Sequence, residues 1–146
     1  MKIIVGFLVN TLLVASLWAH CQVPCGIFND DARLESINEH IQTIEKSMKK
    51  IEELGTSNLN QSVRWINTKE QHAQEIHGIL HDYFLAQRLK PLKDKVSKKD
   101  RTIYYQKLTV IHELTIAAMK SKQSTDPKWI KKMKTLSKKL HNAFHK

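Results

Sequence analysis

Apolar residues recur along this chain at alternating spacings of three and four. The first series is Leu34, Ile37, Ile41, Ile44, Met48 and Ile51, the narrow seam of an amphipathic helix that faces a bundle. Lys46, Lys49, Lys50 and Glu52 take its outer positions. Asp30 or Asp31 is placed to cap its start, where negative charge favours a helix N-terminus. Gly55 ends it, and residues 56–60 read as a connecting loop. A second helix is expected from near Ser62 to about Lys90, with Val63, Ile66, Ala73, Ile76, Leu80 and Tyr83 inward. Lys69 and Glu70 interrupt this seam where an apolar residue is expected, and Pro91 stops the helix. A third helix fits residues 98–120, with Ile103, Leu108, Ile111, Leu114 and Met119 as buried candidates. Asp126-Pro127 pairs a capping residue with a first-turn proline ahead of a last helix whose apolar face is Trp129, Met133, Leu136, Leu140 and Phe144. No stretch alternates like a strand, and there is no repeat or low-complexity tract. The pattern predicts an all-α protein, an antiparallel four-helix bundle.

The 146 residues suit one domain with one modest core. The formal charge of +10 fits nucleic acid, an acidic membrane or a small anionic substrate drawn in by the long-range field. No nucleic-acid-binding motif is present, so no nucleic-acid partner is expected and the lysines over residues 131–139 read as a solvated face. Nothing resembles a nucleotide loop or a Ser-His-Asp arrangement. His77 and His81, four apart beside Asp82, have a spacing that can hold zinc. They lack the His-Glu-x-x-His pattern, and a surface or packed pair is the expected reading. His112, His141 and His145 form no constellation in the sequence.

Two features bring chemistry into this plain scaffold. The first is the N-terminus. Met1-Lys2 is a short positive start, residues 3–18 are mostly apolar, and Ala19 is a small residue at a possible cut. This is the layout of a cleavable signal peptide over residues 1–19, leaving residues 20–146 as the mature domain, exported to a periplasm or secreted, with no stable membrane association after cleavage. An uncleaved anchor is the alternative. The second feature is His20-Cys21-Gln22-Val23-Pro24-Cys25-Gly26-Ile27-Phe28, which holds both cysteines. A disulfide between Cys21 and Cys25 would close a very small loop and stabilise little. A cut before His20 instead leaves a free α-amine and an imidazole on one residue, a thiolate and a backbone nitrogen on the next, and a second thiolate at Cys25. That set is a metal-binding hook made by the cut itself, because the amide nitrogen before cleavage is a poor ligand and the amine afterwards deprotonates readily beside a cation.

His-Cys-x-x-Pro-Cys-Gly directly behind a cleavable segment resembles the nickel hook of the nickel superoxide dismutase family. Further stretches carry the resemblance: Ala32-Arg33-Leu34-Glu35, one residue closer to the hook than in the family, then Lys69-Glu70-Gln71 and Asp82-Tyr83-Phe84. The resemblance implies a superoxide dismutase with one nickel ion per subunit, alternating between Ni(2+) and Ni(3+), in a homohexamer of bundles. It implies that His20, Cys21 and Cys25 are the metal ligands, that Glu35 hydrogen-bonds the His20 imidazole, and that Tyr83 lines the approach to the metal. Thiolates with the His20 amine and the Cys21 backbone nitrogen make an N2S2 set that suits nickel(II) or copper(II) better than zinc. Members are often cytoplasmic and expose the histidine with a dedicated protease, which is the alternative to export here. Three positions depart from the family: Phe28 replaces a tyrosine, His72 an arginine that partners the glutamate, and Gln22 an acidic residue. None removes a ligand. A different class of function is a non-catalytic secreted metal-binding or basic helical interaction protein.

Overall fold

The structure, a computed structural model, describes Pro24 and residues 26–145. The expected leader over residues 1–19 and the hook positions His20, Cys21, Gln22 and Cys25 lie outside them. The described residues form four helices and no strand: α1 (Asp30–Leu54), α2 (Leu59–Gly78), which runs on into a π-helical segment (Ile79–Arg88), α3 (Lys98–Lys122) and α4 (Lys128–Phe144). Each helix packs on the next in sequence, and α4 returns to pack on α1. Cross-helix pairs fix the directions: His40 meets His72, Lys69 meets Ser121, and Asp31 meets His145. Neighbouring helices therefore run antiparallel, as the apolar seams predicted.

Leu34, Ile37, Ile41, Ile44 and Met48 of α1 face Ala73, Ile76 and Leu80, with Val110, Ile111, Leu114, Ala117 and Ala118 of α3 and Met133, Leu136, Leu140 and Phe144 of α4 closing the core. Burying each of the larger side chains stabilises by roughly 1.5–3 kcal/mol. On α3 the sequence reading was less accurate. Ile111 and Leu114 are buried as expected, but Leu108 packs only partly, while the small Ala117 and Ala118 let the helices approach.

Several boundaries move for a physical reason. Asn29, not Asp30 or Asp31, caps α1, its side chain accepting from the Ala32 N–H at 3.0 Å. The two aspartates sit in the first turn instead. Asn58 caps α2 in the same way, so that helix begins at Leu59, ahead of the expected Ser62. Ser62 is buried and donates back to the Gly55 carbonyl at 2.8 Å. Gly55 closes α1 at φ +49, a conformation that a side chain resists. Val63 and Ile66 are 45% and 40% exposed rather than inward. With Leu59 they make an apolar stripe on the outer face of α2.

Lys69 reverses the expectation most sharply. It does not break the seam; it is buried, and its ammonium donates to the carbonyls of Ser121 (3.0 Å) and Lys122 at the C-terminal end of α3. The apolar stem fills the seam while the charge meets carbonyls that no helical N–H can reach.

Candidate metal centre

The described part of the hook enters the bundle through a tight turn. The Gly26 N–H donates to the Pro24 carbonyl at 3.0 Å, and Gly26 takes φ +80. Glycine tolerates that backbone at no steric cost. The chain then delivers Phe28 edge-on to Tyr83, with ring centroids 5.8 Å apart.

Tyr83 is held there by the π-helical segment. In a π-helix the N–H bonds reach back five residues, as from Leu89 to the Phe84 carbonyl at 2.8 Å. The wider turn buries Tyr83 and Phe84 side by side, and Phe84 stacks edge-on to Phe144 of α4. The sequence reading of one uniform helix to Lys90 missed this, because apolar spacing over ten residues does not separate an α from a π turn.

Asp30 is the hub of this end of the bundle. Its carboxylate accepts from the Tyr83 hydroxyl at 2.6 Å and from Arg88 through two N–H groups at 2.7 and 2.6 Å. Arg88 also lies over the Phe28 ring, 5.0 Å from its centroid, and Arg33 lies 5.4 Å from that of Tyr83. Burial alone would raise the Asp30 carboxyl, but the hydrogen bonds from Arg88 and Tyr83 and the positive charge of Arg88 hold it below its ordinary range. Burial and the bond to Asp30 push the Tyr83 phenol up to about 12. Tyr83 is thus a fixed, protonated phenol beside the hook's entry. The sequence offers Asp30 only as a capping candidate and does not disclose its pairing with Arg88, since that partnership joins residues far apart in the chain.

Glu35 sits elsewhere on α1. It is exposed and shares a surface groove with Asp31, Leu34, Asn38 and His141, on the α4 side of the helix. Asp30 and Arg33 share the face toward Tyr83, while Asp31 and Glu35 share another, as helical spacing requires. His72 is not beside Glu35: its Nδ1 lies 2.8 Å from the Nδ1 of His40. His77 is engaged by the Thr115 carbonyl at 3.0 Å, and His81 lies 3.4 Å from the Thr115 hydroxyl. His141 and His145, left as ordinary histidines in the sequence, come together against Asp31. Among the described residues no helix is long and apolar enough to cross a membrane.

The side chains that the sequence supplies over residues 20–25, two cysteine thiols and an imidazole, fit a late transition metal and not a hard cation. Comparison with curated proteins and with solved structures returns no match. The sequence does match the family described as nickel-containing superoxide dismutase over residues 15–146, which takes in the hook and all four helices. The chain belongs to that family, and with it come the disproportionation of superoxide and a nickel cofactor.

Proposed function

We propose that the mature protein begins at His20 and that His20, Cys21 and Cys25 hold the nickel. The observation that carries this reading is the placement of both cysteines and a histidine directly behind a removable apolar segment, in a chain of this family. Bound nickel supplies one-electron chemistry between Ni(2+) and Ni(3+), by which two superoxide anions and two protons become oxygen and hydrogen peroxide. The thiolates of Cys21 and Cys25 favour the oxidised state, and Pro24 and Gly26 shape the turn that carries them. Tyr83 and Phe28 border the approach, and the hydrogen bond to Asp30 keeps the Tyr83 ring in one place. Glu35 is the proposed brace of the His20 imidazole, a role that would fix the ring and raise its basicity.

The leader over residues 1–19 is proposed to send the protein out of the cytoplasm, one cut performing both export and activation. The exposed stripe of Leu59, Val63 and Ile66 supports assembly of several bundles, with a homohexamer as the proposed form. The deciding experiment compares the mature protein with a form carrying one extra alanine before His20, each N-terminus confirmed by mass spectrometry. The mature form should bind nickel at about one per chain and turn over superoxide, and the extended form should do neither, because the amine has moved. Normal nickel binding and turnover by the extended form would exclude the N-terminal hook.

A further inference from the structure

A second set of metal-binding side chains lies at the same end of the bundle as the hook's entry. Asp31 comes from the first turn of α1, His141 from the last turn of α4, and His145 is the residue that caps that helix. One ligand atom of each lies within 4.8 Å of the others. The same Asp31 oxygen is 3.1 Å from His145 Nδ1 and 3.7 Å from His141 Nε2. A tetrahedral zinc ion with bonds of about 2.0–2.1 Å spaces its ligands about 3.4 Å apart, so these two separations bracket the required edge. The two imidazoles are stacked, centroids 4.6 Å apart and 17° from parallel, and the His145 N–H, which donates to the His141 carbonyl at 2.8 Å, holds the capping residue over the last turn of α4.

The electrostatics favour a cation there. Asp30, the neighbouring carboxylate, is already neutralised by Arg88, whereas Asp31 makes no ion pair other than those to the two histidines among the described residues. The histidines sit at the negative end of the α4 dipole, the better end for a positive ligand. All three side chains are at least 46% exposed, so an ion can enter without opening the core. Two imidazoles and a carboxylate also differ in kind from the thiolate hook: three N/O ligands with a water-filled fourth position are a zinc set.

We propose that Asp31, His141 and His145 form a second cation site that takes zinc(II) and clasps the start of α1 to the end of α4. The site does not depend on where nickel binds, and the test keeps the two apart. The mature protein carrying Cys21→Ser and Cys25→Ser, which has lost the hook thiolates, is titrated with zinc chloride by calorimetry and melted with and without zinc. About one zinc per chain and a raised Tm are expected. His141→Ala with His145→Ala, in the same background and with helicity confirmed by circular dichroism, should abolish both. Asp31→Asn should weaken binding by about tenfold or more. Cobalt(II) in place of zinc should give visible absorption bands that disappear in the double histidine variant. No zinc uptake by the thiolate-free protein, or uptake undiminished without the two histidines, overturns the site; in that case Asp31 serves only as an ion-pair partner. Nickel binding and turnover, measured on the protein with both cysteines intact, report on the hook separately.

Discussion

His40 and His72 join α1 to α2 through a hydrogen bond in which one imidazole must keep a lone pair. Burial, then the neighbouring His72, pushes His40 below its ordinary 6.5, and the carboxylates of Glu75 and Glu39 offset this only in part. Burial lowers His77 as well, although its bond to the Thr115 carbonyl works in the opposite direction. A histidine with a depressed folded pKa binds its proton more readily in the unfolded chain. Its contribution to stability is therefore complete above the unfolded value and is lost as pH falls through the folded one. The Tm should drop as pH falls from ~7.5 to ~5.5, and His72→Gln, which keeps a partner for His40 but cannot become an imidazolium, should flatten that slope. Parallel melting curves for the two proteins across this range would remove the pair as the cause. Tyr83→Phe belongs to the same scale. It deletes one of the three hydrogen bonds to Asp30 and should cost about 1 kcal/mol by denaturant titration.

Lys69 shows how one residue fastens an element. Its two bonds close the carbonyl end of α3, and Lys69→Met, which keeps the buried stem and removes the donors, should destabilise by about 1–3 kcal/mol. A melting temperature unchanged from the parent would mean that water satisfies those carbonyls. The same residue marks the limit of what the sequence discloses. The seams of α1 and α4 were legible because Leu34 to Met48 and Met133 to Phe144 obey the helical period without help from elsewhere. Lys69 was not, because local periodicity treats a charge as a break and cannot see carbonyls on another helix. Asn29, Asp30 and Asp31 are all good capping residues, and only the extended backbone at Asn29 selects among them. The proposed hook could be read from sequence alone because its members lie together there. The surroundings built on Asp30 and Arg88, and the cluster of Asp31 with His141 and His145, could not, since the fold assembles them from distant turns.

For the whole molecule, charge and shape matter most. Removing residues 1–19 takes away one lysine and no carboxylate, so the mature chain stays strongly basic. Superoxide is an anion, and attraction to this field should raise its encounter rate. Turnover measured by pulse radiolysis should therefore slow as salt shortens the screening length from about 8 Å at physiological strength to about 3 Å at 1 M. A rate indifferent to salt would exclude steering. If the α2 stripe is an assembly surface, Val63→Glu with Ile66→Glu should lower the mass seen by light scattering while leaving helicity intact. The up-down-up-down order has another effect: with four helices, α1 begins and α4 ends at the same pole, and Asp31 and His145 are 3.1 Å apart. A circular permutant can exploit this neighbourhood. A linker from the C-terminus to position 20, with new ends opened in the exposed turn after Gly55, would retain the helix packing while making residue 20 an internal amide. Such a protein should be as helical as its parent yet unable to take up nickel at the hook, separating folding competence from metal competence in a single polypeptide. A polyhistidine tag on the natural C-terminus would sit at this same pole as a competing chelator, whereas one inserted in the α1–α2 turn would lie a bundle's length away.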